Sequence, residues 1–113
     1  MSTKRKVYYC PVEFTLDQIA GKWKILIVLQ LRFGAKRYTE LIKKVRGITP
    51  KMLSQHLKDL EQQGIIHRQI FAEIPPKVEY SLTKEGEKLF PIIDSLAQWG
   101  SVNMEKEKGS EIV

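Results

Sequence analysis

The sequence has a single cysteine, Cys10, two histidines, and no apolar run approaching the length of a membrane span. One cysteine cannot close an internal disulfide, which agrees with a reducing compartment and leaves the thiol free for other chemistry. The opening residues, MSTKRKVYYC, are basic with no apolar signal core behind them, so a cytoplasmic protein without a membrane partner is expected. His56 and His67 are not at metal-ligand spacing with each other or with Cys10, and no Gly-rich phosphate loop or nucleophile motif occurs. Glu40, Asp59, Glu61 and Glu79 fall on separate predicted elements rather than in a pair suited to acid–base work. These absences argue against an enzyme and give no reason to expect a metal or cofactor. Repeats and low-complexity stretches are also missing, and 113 residues with 42% hydrophobic and 28% charged side chains suit one folded domain. The expected division is a basic tail over 1–9, a domain over 10–107 and a flexible tail over 108–113.

What is abundant is positive charge, and it is unevenly placed. The net charge is +6, yet residues 22–77 alone hold twelve Lys or Arg against four acids, while 10–21 and 78–113 are net acidic. Such a bias suits a polyanion, because each neutralised phosphate releases condensed counterions. A membrane surface is the competing polyanion, but the cations are not strung along one amphipathic helix with a bulky apolar face. Nucleic acid fits better.

The stretch at the centre of that basic region is TPKMLSQHLKDLEQQG, residues 49–64. Thr49 caps a helix start, Pro50 suits the first helical position, and Gly64 suits a left-handed stop, which together predict a helix of about fourteen residues. Leu53, Leu57 and Leu60 make one apolar stripe, and Lys51, Ser54, Gln55 and Lys58 lie on the other side. Ser and Gln hydrogen-bond base edges, Lys neutralises phosphates, and the helix start at Thr49 and Pro50 points backbone N–H groups outward. The bland alternative is a merely solvated polar face.

Upstream, TLDQIAG suggests a short helix with Thr15 and Gln18 at capping-box spacing and Gly21 as its end. KWKILIVLQL, residues 22–31, is apolar nearly all round and reads as a buried pillar helix stopped at Gly34, or less readily as a long buried strand. Arg37 and Tyr38 are expected to be extended, with Thr39 capping a two-turn helix that carries Leu41, Ile42 and Val45 and stops at Gly47. This helix, a tight Gly-containing turn and the helix after Thr49 outline a helix-turn-helix. Arg37 joins the DNA-facing candidates.

Downstream, IIHRQIFA and VEYSL read as two strands joined by EIPPK, a hairpin whose tip holds Pro75 and Pro76 because neither donates a ladder hydrogen bond. A hairpin directly after a recognition helix is a wing, and Lys77 and Arg68 are its cations, although Arg68 is also read as a solvated strand residue. From Thr83 a last long helix carries Leu89, Ile92, Ile93, Leu96, Trp99 and Val102 as an apolar stripe, bent at Pro91. That stripe predicts a homodimer, with the alternative that the helix folds back on its own domain. Any effector pocket is expected between the pillar and dimerising helices near Trp23 and Trp99, although two tryptophans in a small protein are more often core residues than a ligand cage. The fold expected is therefore mainly α with a small β-hairpin: a winged helix-turn-helix with an added C-terminal dimerisation helix.

In this order of parts, Cys10-Pro11-Val12, Gly21-Lys22-Trp23, Gly47-Ile48-Thr49-Pro50-Lys51-Met52-Leu53-Ser54, the run from Leu57 to Leu60 and Glu61, Gly64, Pro75-Pro76-Lys77-Val78-Glu79-Tyr80-Ser81-Leu82-Thr83, Gly86 and Trp99-Gly100 resemble the HxlR family of bacterial winged helix-turn-helix transcriptional regulators. The resemblance runs from residue 10 to about residue 100. It implies a dimer on a roughly palindromic operator with the recognition helices in successive major grooves of double-stranded DNA. It further implies a role for Cys10, because some family members use a cysteine at this position to sense electrophiles or oxidants. Lys4, Arg5 and Lys6 would favour the thiolate, whereas Tyr8, Tyr9 and Val12 would bury it as an inert hydrophobe. Without a second cysteine, any disulfide must be intersubunit or with a small thiol. The competing function is a winged-helix module for protein or RNA that has no operator.

Overall fold

Prolines and short polar side chains set where the helices of this chain begin, though not always the ones that spacing suggests. The computed structural model describes residues 6–19, 21–107 and 112. Lys4 and Arg5 of the expected basic tail, and most of 108–113, lie outside the described residues. Helix α1 (Pro11–Gln18) starts at Pro11, with Cys10 as its extended N-cap residue. Thr15 does not cap it, contrary to the capping-box spacing. It sits mid-helix, its hydroxyl donating to the Pro11 carbonyl at 3.1 Å, because Pro11 is already set for the first helical position. Helix α2 (Gly21–Leu31) is the pillar. Helix α3 (Tyr38–Lys44) begins one residue before the expected Thr39 cap, because Glu40 Oε1 accepts the Arg37 backbone N–H at 3.0 Å and satisfies the helix start instead.

Helix α4 (Pro50–Gln62) follows its local signals: Thr49 Oγ1 accepts the Met52 N–H at 3.2 Å, and Gly64 turns the chain out at φ +75°. Strands β1 (Ile66–Phe71) and β2 (Lys77–Leu82) pair antiparallel, with Ile66 opposite Leu82 and Phe71 opposite Lys77. The other edge of β2 is bridged by Lys36, which exchanges backbone hydrogen bonds of 2.9 and 2.8 Å with Tyr80 and pins the hairpin to the segment before α3. A short α5 (Lys84–Glu87), capped by Thr83, leads into α6 (Phe90–Lys106). The expected single helix is thus divided, and Pro91 causes no bend within it. It occupies the first turn of α6, where its missing N–H costs no bond.

The core gathers Ile27, Val28 and Leu31 of α2, Leu41 of α3, Leu53, Leu57 and Leu60 of α4, Ile65 and Ile66, and Ile93 of α6. The three α4 leucines are at most 2% exposed, so each contributes about 1.5–3 kcal/mol of burial and together they fix the rotation of α4 about its axis. The stripe on α6 splits. Ile93 is buried and Leu89 packs on the same core, whereas Ile92, Leu96, Trp99 and Val102 remain 41%, 52%, 71% and 48% exposed. Ile93 therefore belongs to the chain's own interior, while half-buried Leu89 packs on that core and also lines a surface hollow beside Ile92. Arg32, just past α2, anchors α6 with hydrogen bonds of 2.5 and 3.1 Å to the Asp94 carboxylate and lies over the Phe90 ring. No helix among the described residues is long and apolar enough to cross a membrane.

Candidate nucleic-acid interface

The helix-turn-helix is braced from within. Val45 and Ile48 are buried on either side of the turn, and Gly47 passes through it at φ +87°, a conformation that side chains rarely adopt. The Tyr38 hydroxyl donates to the Pro50 carbonyl at 3.1 Å, locking the start of α3 to the start of α4. With its leucine face buried, α4 turns Lys51, Ser54, Gln55 and Lys58 to solvent, and Thr49, Pro50 and Arg37 are exposed at the two helix starts. The Thr49 hydroxyl is occupied by its capping bond.

Exposed cations outside the ion pairs are scattered at Lys22, Arg68, Lys84 and Lys106 and clustered on the helix-turn-helix. The ion pairs among the described residues use Lys6, Lys24, Arg32, Lys77 and Lys88. Arg37, Lys43, Lys44, Arg46, Lys51 and Lys58, all on the helix-turn-helix, take part in none of these pairs and are exposed. Lys43, Lys44 and Arg46 are not singled out by the pattern of α4. Their signal is the run Lys43-Lys44-Val45-Arg46 immediately before the turn. Unpaired cations keep their full field for an incoming polyanion, whereas paired ones are largely neutralised before it arrives.

Lys77 departs from expectation. Its ammonium is 3.2 Å from Glu79 Oε2 and lies over the Phe71 ring, so the wing's nearest cation is spent within the hairpin. Strand alternation explains this, since positions two apart on one strand share a face. The wing tip instead exposes Ile74, Pro75 and Pro76, and Arg68 is solvated. Gln55 is also engaged: its Nε2 donates to Asp59 Oδ1 at 2.9 Å, one turn along α4.

The Cys10 thiol is exposed, and the aromatic and apolar neighbours expected to cover it do not, since Tyr9 and Val12 are 93% and 65% exposed. Lys6, expected to favour the thiolate, pairs with Asp17 at 3.1 Å, and Tyr8 donates to the same carboxylate at 2.5 Å. These bonds, Tyr8 first and Lys6 second, hold the Asp17 carboxyl below its ordinary range, and donation to Asp17 raises the Tyr8 phenol. A hollow of about 440 Å³ lies between α1 and α6, lined by Val12, Leu16, Ile19, Ile25, Ile92 and Leu96. Trp99 lines a shallower neighbour and Trp23 lines neither, packing instead on the core. The two tryptophans therefore do not frame a pocket together.

Residues 18–108 match the family model described as HxlR-like helix-turn-helix. The HTH-type transcriptional regulator YybR of Bacillus subtilis is 45% identical over 107 residues, covering 91% of this chain and 86% of YybR. The structure of the redox regulator HypR in its oxidised form superimposes with a TM-score of 0.79 at 42% identity, covering 92% of this chain and all of that one. The reduced form of the transcriptional regulator YodB from B. subtilis gives 0.77 at 33% identity, covering 89% of this chain and all of that one. Hairpin, helix-turn-helix and flanking helices fit the same winged-helix architecture throughout. The chain belongs to the HxlR-like helix-turn-helix family and is a transcriptional regulator, not an enzyme.

Proposed function

We propose that this regulator works in the cytoplasm as a homodimer on an inverted-repeat DNA operator, reading it with α4 of each copy, and that Cys10 is the thiol through which oxidants or electrophiles alter that binding. The observation that carries the reading is the concentration of charge: six exposed cations, Arg37, Lys43, Lys44, Arg46, Lys51 and Lys58, cluster on the helix-turn-helix and take part in none of the ion pairs among the described residues. Phosphate contacts from Arg37, Lys43, Lys44, Arg46, Lys51 and Lys58 supply affinity and register, and Ser54 and Gln55 supply base readout. Lys77 makes a weaker contribution than its position at the wing suggests, because Glu79 offsets it.

The exposed residues Ile92, Leu96, Trp99 and Val102 support dimerisation, since with Val12 and Leu16 of α1, which share a hollow with Ile92 and Leu96, they leave large apolar side chains open to solvent. For Cys10, support comes from the exposed thiol and from the description of HypR as a redox regulator. Oxidation of Cys10 would join it to a second copy or to a small thiol.

The test is a genome-fragment binding selection at physiological salt with purified protein, run with and without a mild thiol-reactive electrophile. A short inverted repeat is expected, lost on treatment and retained by Cys10→Ser. Uniform, steeply salt-dependent binding to all duplexes would remove the operator and favour a module for protein or RNA. Equal loss in Cys10→Ser would remove the sensing role.

A further inference from the structure

Lys24 is the one charged residue buried among the described residues, at 8% exposure. It lies in the first turns of α2, behind α4, and its ammonium is 3.6 Å from Asp59 Oδ2. The other carboxylate oxygen, Oδ1, accepts Gln55 Nε2 at 2.9 Å. A buried ammonium persists only with a counter-charge; Asp59 supplies the ion pair, with the Asp17 carboxylate also within coulombic reach of Lys24, and Asp59 is thereby held from behind. A carboxylate only accepts hydrogen bonds, so the Gln55 amide must present its NH2 to Asp59. One N–H is thereby used, and Oε1 together with the second N–H is left free. That remainder suits adenine, whose N6–H donates to Oε1 and whose N7 accepts the free N–H. Lys24 also offsets Asp59, an acid beside the exposed face of α4 whose carboxylate, left unpaired, would repel phosphates.

We infer that Lys24, which does not reach the outer surface of α4, is a positioning residue for base readout: through Asp59 it sets the orientation of the Gln55 amide and so the preference for adenine at one operator position. This rests on the reading of α4 as the DNA-reading helix. Lys24→Met keeps a long apolar side chain and removes the charge. Asp59→Ala, at a partly exposed position, removes the acceptor directly.

The measurement is fluorescence-anisotropy titration of the full-length protein on the selected operator, on operators changed one base pair at a time, and on scrambled DNA at matched salt. Gln55→Ala identifies the base pair it reads. At that pair, Lys24→Met and Asp59→Ala are each expected to lose discrimination by about fivefold or more. Combining either with Gln55→Ala is expected to add nothing further at that pair. A purely structural Lys24 would lower affinity for every duplex alike and leave the pair's discrimination intact. That result in Lys24→Met, whatever Asp59→Ala does, would overturn the inference, as would losses that add to that of Gln55→Ala. If Gln55→Ala altered no base-pair preference, the assignment of Gln55 to a base would fall and take the positioning role with it. If Gln55→Ala did alter one and the other two variants did not, the positioning role alone would fall.

Discussion

Gly86→Ala should be among the most damaging single-methyl changes in this protein, for a reason visible only in three dimensions. Gly86 is buried in α5, and a Cβ built on it lies 2.2 Å from the Ile65 carbonyl oxygen, 3.2 Å from its carbon and 3.1 Å from Leu82 Cδ2. Two of those three atoms are backbone, so no rotamer change relieves the clash. Restoring van der Waals contact, on the order of 3.5 Å, requires α5 to move by roughly 1 Å from the segment joining α4 to β1. The bonds at that junction are the Thr83 N–H and hydroxyl on the Ile65 carbonyl, at 3.1 and 3.0 Å, and the Gly86 N–H on Thr83 Oγ1, at 3.0 Å. Overpacking costs about 1–3 kcal/mol, and weakening one or two of these bonds adds about 1 kcal/mol, so about 3 kcal/mol is expected. For a domain of this size that corresponds to a fall in Tm of about 10–20 °C. Urea and thermal unfolding at one fixed protein concentration measure it, the concentration being fixed because association shifts apparent stability. A loss below about 1 kcal/mol with an unchanged m-value would show that α5 is free to move and would refute the reasoning.

Three further outcomes are expected. Lys51→Ala removes one phosphate contact per copy, so the slope of log affinity against log salt should become shallower by about 2 for the dimer, with discrimination between sequences unchanged; an unaltered slope would place Lys51 off the backbone. Leu96→Asp puts a charge in the open face of α6, where Leu96 is 52% exposed, and light scattering should report a monomer with little change in the fold of the subunit. A dimer surviving that change would point to a different interface. The third concerns pH. The Asp17 carboxyl is depressed, so the stabilisation from its contacts with Tyr8 and Lys6 is complete above the ordinary value of 3.8 and lost only as pH falls through the lower folded value. The Tyr8 phenol is raised, so its share persists below the ordinary 10.0 and disappears as pH climbs through the higher folded value. NMR titration should place the Asp17 midpoint below 3.8, and an Asp17→Asn variant should return Tyr8 toward 10.0; a midpoint at or above 3.8 would contradict the docking of residues 6–8 on α1.

What the sequence determined by itself were features that depend on neighbours a turn or two away. Thr49, Pro50 and Gly64 bound α4, the leucines at 53, 57 and 60 choose its inner face, and Pro75 with Pro76 marks the hairpin tip, because capping, proline geometry and helical spacing act locally. Local signals also competed with one another, and there reading in one dimension went astray. Thr15 and Thr39 have the chemistry of caps, but Pro11 and Glu40 satisfy the helix starts first. Tertiary structure decided the rest. Which of the neighbouring residues Ile92 and Ile93 enters the core depends on how Arg32 and Asp94 seat α6 against α2. Whether a lysine is available to a polyanion depends on what faces it, and Lys77 is occupied while Lys51 is not. The link from Lys24 to Asp59 joins side chains on two helices far apart in sequence, and its energy depends on a burial that only the packed core creates.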